Sequence, residues 1–371
     1  TEGSFIKPTS VGIGTTTTAG RNAGVGTANG TLVYNSTANK LEIYSNDEWK
    51  ELQQKVPFNV SGGTISNNVN RTDFVTHTFT SPGNFVSGGQ LVSAEIFVIG
   101  GGGGGGATRY GAGGGAGGAM LSTGVTLDPG TYGVSIGPGG SGGSPPARGS
   151  DGGNTVFHPG GSQQRQGTGG GGGGSYDSTS TGRPGGSGGG GSSRPTSAGG
   201  SSTQPSAPGP GTDYGNRGGN YNTPGGGWAP AGGGGAGAQG VDSPSTQYNG
   251  GGNGGAGVQL SISGTATYYG GGGGASVYNT INPSYPPAPP QIAPANHKTF
   301  GGDGGGGTGG SHPAVTIPPN SSPNQHGLAN TGSGGAGGHT QTENFSTTVG
   351  GNGGSGLVIV AYPSVDNAVT T

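Results

Sequence analysis

The fold of this chain follows from the segment VSAEIFVIGGGGGGGATRYGAGGGAGGAML, residues 92–121. A run rich in apolar residues, from Leu91 to Ile99, passes directly into a tract that is almost entirely glycine. The β-branched and aromatic residues of the run favour a strand. Glycine, by contrast, costs roughly 0.5–1 kcal/mol per residue relative to alanine in a regular element. The central question is what orders the glycine tract.

The amino-acid composition limits the kinds of structure that the glycine tract can form. Glycine contributes 99 and proline 27 of the 371 residues, a content typical of collagen or of disorder. Collagen requires glycine at every third position, but here the glycines stand in blocks such as 100–106 and 169–174. Disorder usually accompanies high net charge, and this chain has 8% charged residues and a net charge of −2.

Backbone hydrogen bonding can order such blocks. An extended helix with three residues per turn points its N–H and C=O groups in three directions. Without side chains, parallel and antiparallel copies can approach closely and satisfy those groups, with Cα–H···O contacts adding a little. We therefore predict a polyglycine II sandwich for the glycine blocks, closed by β-strands at its two ends.

Five further patterns along the chain predict an all-β fold. In residues 1–55, the runs 32–34 and 41–44 flank a polar turn and predict a β-hairpin too small to bury its aromatics alone. Residues 56–99 are β-rich and lead into the glycine-rich domain, 100–371. Further strands are predicted within 130–140 and 257–271, and a closing strand near 356–362. Helix signals are nearly absent.

Several functional classes find little support in the composition. The chain has no cysteine, and no apolar run approaches the ~18 residues that span a bilayer. Its 13 basic and 15 acidic residues are scattered, which predicts neither nucleic-acid binding nor membrane insertion.

Catalytic motifs occur only as by-products of the glycine content. The sequence GGSGG at 139–143 matches a nucleophile elbow, but that elbow needs a strand-to-helix turn with a histidine and an acid. The six histidines lack metal-ligand spacing, and the surroundings of Asp303 resemble a calcium-binding repeat only faintly. We predict no enzyme activity, no cofactor and no metal. A metal shared between distant loops of a trimer, or a glycan-cleaving fibre with paired carboxylates, stays open.

Two parts of the sequence resemble known families. The segments SVGIGTTTTAG (10–20) and GTLVYNSTANKLEIYSNDEWKEL (30–52) resemble modules of tail-fibre proteins of tailed bacteriophages, especially those of marine bacteria and cyanobacteria. The ordered elements FTSPGNF, FVIGGGGGGG, PGTYGVSIGPGG, YYGGGGGA and GGNGGSGLVIVAY, between residues 79 and 362, resemble the glycine-rich domain of phage tail fibres and tip adhesins. Such domains also occur in bacterial proteins.

The resemblance implies a virion tail-fibre or fibre-tip protein that binds a host surface glycan or outer-membrane protein without chemistry. Residues 1–55 would join other virion tail proteins and form a homotrimer, and multivalency would raise avidity. One alternative is a self-assembling bacterial matrix or surface protein, located outside the cell. Another alternative is an ice-binding protein, which only the threonine array Thr15–Thr18 supports.

Aromatic and basic residues in the long inserts are the receptor-binding candidates, because tyrosine, tryptophan and arginine concentrate binding energy at recognition surfaces. They are Tyr176, Arg183, Tyr214, Arg217, Tyr221, Trp228, Tyr248, Tyr278 and Tyr285. The alternative is that these rings cover the glycine sandwich and keep water from its hydrogen bonds. The candidates for trimerisation or attachment are Leu32, Tyr34, Leu41, Ile43, Tyr44 and Trp49.

Overall fold

The computed structural model describes residues 13–52, 59–67, 70–71, 73–108, 110–194, 197–204, 209–222, 229–244, 251–276, 299–309, 325–338 and 349–364. The chain divides into two compact units, Thr1–Pro57 and Phe58–Thr371. Within the described residues the regular elements are almost all strands, so the all-β prediction is confirmed. No helix of this described part is both long and apolar enough to cross a membrane.

The first unit contains a four-stranded sheet in the order β1-β2-β3-β4. Its strands are β1 (Thr15–Thr16), β2 (Leu32–Asn35), β3 (Lys40–Ser45) and β4 (Glu48–Glu51). Strands β2 and β3 pair antiparallel, which confirms the predicted hairpin.

A short α-helix, α1 (Thr18–Gly24), was not predicted, because Thr/Gly-rich sequence has low helix propensity. Thr17 caps this helix: its side chain accepts a hydrogen bond from the Gly20 N–H.

Two sheets and one hairpin form the regular part of the second unit. The six-stranded sheet has the order β14-β10-β9-β17-β7-β6, and the five-stranded sheet the order β13-β12-β11-β8-β5. Strands β15 and β16 form the hairpin. The bounds are β5 (Val60–Ser61), β6 (Thr64–Asn67), β7 (Phe74–Phe79), β8 (Gly83–Ser87), β9 (Leu91–Ile99), β10 (Ala119–Leu127), β11 (Gly130–Ser135), β12 (Thr155–Phe157), β13 (Arg165–Gly167), β14 (Thr212–Tyr214), β15 (Val258–Leu260), β16 (Thr267–Tyr269) and β17 (Leu357–Pro363).

The central strands of the six-stranded sheet are buried on both faces at residues 96–99 of β9 and 357–362 of β17, which explains the apolar residues there. Ile96 and Val98 belong to a core that also contains Phe85 and Phe157 from the five-stranded sheet. The alternate residues Phe97 and Ile99 belong to a second core with Tyr269 of the hairpin. Because successive side chains of a strand point to opposite faces, a strand buried on both sides needs apolar residues at every position.

The glycine tract 100–107 shows how the blocks are ordered. Its backbone N–H groups donate in three directions in turn. Residues 100, 103 and 106 donate to the segment 112–118, and residues 101, 104 and 107 donate to the segment 147–153. Residues 102 and 105 donate to the segment 351–354. The donors advance by three while the acceptors fall by three, so each pairing is antiparallel. A repeat of three residues with three bonding directions is the predicted polyglycine II pattern.

The same tract accepts bonds from three more segments, so six neighbours enclose it. Gly140 donates to Gly102 O, Gly170 to Gly101 O and Gly335 to Gly103 O. The described glycine segments thus form a hexagonal array, which we call the lattice, and each segment is called a glycine helix. All eight residues of 100–107 are buried. A Cβ added at Gly105 would stand 1.8 Å from the carbonyl oxygen of Ala336, which explains why bare glycine is needed there.

Candidate functional site

The hydrogen-bond register places most of the connections of the lattice at one end. The glycine helix 100–107 leaves β9, and 111–118 returns to β10 antiparallel to it, so Thr108 and Tyr110 lie far from the sheets. The same reasoning places the connections 144–147 and 175–179 at that end, because each joins an outgoing to a returning helix. We call this the loop end and the opposite end the sheet end.

The described flanks of the longer inserts also reach the loop end. Ser276 donates to Gly111 O, Gly338 to Gly106 O, and Gly350 to Gly143 O, and all three acceptors lie beside connections of the loop end. Shorter turns at 235–239 and 328–331 lie towards the sheet end. The lattice therefore presents one end to the sheets and the described flanks Ser276, Gly338 and Gly350 to the other.

Two tyrosines and one arginine form a described cluster at the loop end. The rings of Tyr110 and Tyr176 meet edge-on with centroids 5.0 Å apart. The guanidinium of Arg194 lies 5.1 Å from the Tyr176 ring centroid, which is a cation–π contact. Tyr110 is 1% exposed, Tyr176 is half-buried and Arg194 is exposed. The cluster thus has a buried anchor and an outward-facing pair, which we call the Tyr176–Arg194 pair.

Serine side chains tie the connections around this cluster together. The Ser192 hydroxyl donates to Tyr110 O at 2.5 Å, and the Ser175 hydroxyl donates to Pro146 O at 2.7 Å. The buried hydroxyls of Thr108 and Ser193 have no hydrogen-bond partner within the described structure.

The other described receptor candidates are not gathered at this cluster. Arg183 and Arg217 form ion pairs with Asp151 (2.9 Å) and Asp242 (3.0 Å), respectively. Tyr214 lies in β14 at the sheet end, where it packs on the second core. Tyr221 is 3% exposed, the environment expected of a ring that covers the lattice. Trp228, Tyr248, Tyr278 and Tyr285 lie outside the described residues, and a receptor role for any of the nine stays a prediction.

Positive charge gathers around Asp151. Burial lowers the pKa of the Arg148 guanidinium, and the nearby charge of Arg183 lowers this pKa further, whereas Asp151 opposes both effects. Asp151 therefore pairs with Arg183, and Arg148 is near enough to both for their charges to act on its pKa. Within the described residues, no group of three or more histidine, aspartate or glutamate side chains is placed to hold a metal ion.

Sequence reasoning missed Arg194, although the rule that selected the candidates applies to it. Arg194 stands in the serine- and proline-rich insert after Gly191, the same kind of segment that contains the candidates Arg183 and Arg217. Tyr110 was missed because the candidates come from the long inserts, whereas Tyr110 stands in the short interruption 107–110 of a glycine tract.

The trimerisation candidates separate onto the two faces of the first unit's sheet. Directly opposed residues share a face, so the pairings Leu32↔Ile43 and Tyr34↔Leu41 place these four together. Leu32 is 40% and Tyr34 36% exposed. We call these four residues the open face.

Tyr44 and Trp49 lie on the other face, edge-on at 5.3 Å. This opposite face contains a partly buried ion pair. Arg21 of α1 donates to Glu42 at 2.5 Å, and Asn35 also donates to Glu42, at 3.1 Å. Burial opposes ionisation of Glu42, but the hydrogen bonds from Arg21 and Asn35 outweigh it and lower the pKa of that carboxyl. Among the described residues of this unit, the buried apolar side chain is Val33 alone.

Together these features define an all-β protein with a glycine-helix lattice and one loop-bearing end. The family model for the glycine-rich domain matches residues 78–363, and the chain belongs to that family. The comparison with curated proteins found no match.

Proposed function

We propose that this chain is a structural protein of a phage virion, located in the tail fibre or at its tip, and that it binds a host surface glycan or outer-membrane protein without chemistry. The observation that carries the proposal is the convergence of the loop-bearing connections at one end of a lattice whose other end is closed by sheets. Binding loops are commonly held by a rigid scaffold in this way. The sequence resemblance to phage fibre modules and tip adhesins supports the virion assignment.

Within the loop end, we assign contact with the receptor to the Tyr176–Arg194 pair. An aromatic ring and a guanidinium offer an apolar face and directed donors, and both suit the ring faces and hydroxyls of a sugar as well as a protein loop. Tyr110 holds the ring of Tyr176 from the buried side, which lowers the entropy lost on binding.

The open face of the first unit supports the proposed homotrimer or attachment to other tail proteins. A unit that buries Val33 but exposes Leu32 and Tyr34 has its main apolar surface outside its own core. Small domains with so little internal core gain stability by association. The same face also suits the alternative, a bacterial surface or matrix protein that self-assembles.

Two experiments test the proposal in sequence. Gold-labelled antibody against this chain, applied to its native source, is expected to mark virus tails in electron micrographs. Label on cell surfaces or free filaments, with bare virions, would favour the matrix protein.

Host-cell binding then tests the site. The double variant Tyr176→Ala/Arg194→Ala is expected to lose at least about tenfold in affinity, as expected of hot-spot residues. The control Tyr268→Ala, which truncates a half-buried tyrosine of β16 at the sheet end, is expected to bind like the native chain.

A further inference from the structure

The rim of the lattice, meaning the glycine helices with fewer than six neighbours, is closed by side chains. The glycine helix 168–175 shows the principle. Gly170 and Gly173 donate to 100–107, and Gly171 and Gly174 donate to 187–192. In the third direction the acceptors within the described structure are side chains: Gly169 donates to Asn154 Oδ1 at 2.8 Å and Gly172 to Asp151 Oδ1 at 2.9 Å.

The spacing of these two acceptors matches the lattice. Asp151 and Asn154 are three residues apart, as are the donors that they serve. One turn of a glycine helix also has three residues. The two side chains therefore stand where the carbonyls of a sixth neighbouring glycine helix would stand.

The same arrangement recurs around the lattice with asparagine or aspartate at four further N–H groups, and with His326 Nδ1 at the N–H of Asn352 (2.9 Å). The further bonds of this kind, all 2.8–2.9 Å long, run from Gly142 N to Asn352, from Gly199 N to Asn220, from Asn220 N to Asp242 and from Phe300 N to Asn253. These acceptor residues are all exposed or half-buried, as expected at a rim.

We propose that these rim side chains replace a missing glycine helix and thereby exclude the glycine helix of a second copy of this chain. A bare row of N–H groups is a template for another backbone, as at the edge of a β-sheet, and short polar side chains block it. Copies of this chain then associate through other surfaces, such as the open face. The inference rests on the lattice alone and holds whether or not the chain binds a host.

The test is the double variant Asp151→Gly/Asn154→Gly, which leaves the helix but removes both acceptors. We expect the amides of Gly169 and Gly172 to exchange with solvent about tenfold faster, because each loses its hydrogen bond. We also expect the variant to form species larger than the native one, increasingly so with concentration, in sedimentation velocity. Asp151→Asn keeps the acceptor and removes the charge and is expected to sediment like the native chain.

Either of two results would overturn the proposal. Unchanged amide exchange would show that the side chains are not the acceptors of these N–H groups. Faster exchange without any larger species would show that the bare rim does not recruit a second copy. If the double variant does not fold, the single variant Asn154→Gly is used instead. Amide exchange of Gly169 and sedimentation velocity then give the same two tests.

Discussion

Nε2 of His77 lies 3.0 Å from the hydroxyl of Tyr362, although 285 residues separate the two in the sequence. Nδ1 of the same ring lies 2.7 Å from the carbonyl oxygen of Gly62. A carbonyl can only accept, so Nδ1 carries the proton and Nε2 accepts from the Tyr362 hydroxyl. The contact joins β7, near the start of the second unit, to the closing strand β17, and the two strands pair directly.

This contact predicts loss of stability in mild acid. Burial lowers the pKa of His77 below its ordinary value of 6.5, against the opposing effect of the Gly62 hydrogen bond. The unfolded chain therefore binds a proton more readily than the folded one, and stability falls as the pH drops below about 6.5. Each unit of pKa depression contributes up to about 1.4 kcal/mol.

We expect the native chain to have a lower midpoint temperature of thermal unfolding at about pH 5.5 than at about pH 7.5. His77→Gln removes this titration and retains a hydrogen-bonding side chain, so its midpoint is expected to fall less. Equal pH dependence in the two proteins would show that His77 contributes nothing to it.

The close packing inside the lattice predicts that Gly→Ala has very different effects on stability at two positions. At Gly105 an added Cβ would meet backbone oxygen at 1.8 Å, and the six surrounding helices leave no room for adjustment. Gly105→Ala is expected to cost at least about 3 kcal/mol, at the upper end of overpacking effects. Urea unfolding followed by circular dichroism measures this change.

The matched control is Gly130→Ala in β11, where the nearest atom would be 3.9 Å from the added Cβ. This variant is expected to stay within about 1 kcal/mol of the native chain, with stabilisation possible through the unfolded state. Similar losses at the two positions would contradict the close packing inferred for the lattice.

The open face predicts the effect of charge on assembly. Leu32→Asp/Ile43→Asp places two carboxylates on this face, where burial against another chain would cost several kcal/mol. We expect the variant to sediment as a smaller species than the native chain. Ala38→Asp adds one carboxylate in the exposed turn between β2 and β3, away from the open face, and is expected to leave the size unchanged. If both proteins sediment alike, assembly does not use the open face.

Much of the fold could be predicted because its elements are local patterns. The strand Leu91–Ile99 appears with the predicted bounds, and the closing strand and the hairpin of the first unit appear within one or two residues of theirs. Helix α1 could not be predicted, because its stability depends on a cap at Thr17 and on the contact of Arg21 with Glu42, which lies on another element.

The candidate site was less predictable, since exposure depends on which helices are neighbours. Tyr176 and Tyr221 stand in similar inserts, yet the first is half-buried at the loop end and the second is 3% exposed. Arg183 and Arg217 were candidates for a receptor, and only the fold shows that each faces an aspartate on another glycine helix.

The sequence by itself determined that glycine blocks must be ordered by their backbones and that apolar runs at both ends must form strands, because the apolar residues are too few for a side-chain core to order the glycine blocks as well. Only the tertiary structure decided which glycine helices are neighbours and which side chains close the rim. Glycine segments carry no side chains to distinguish one partner from another. Their order in the lattice is therefore set by the strands, turns and rim side chains attached to them, and these come together only in the folded chain.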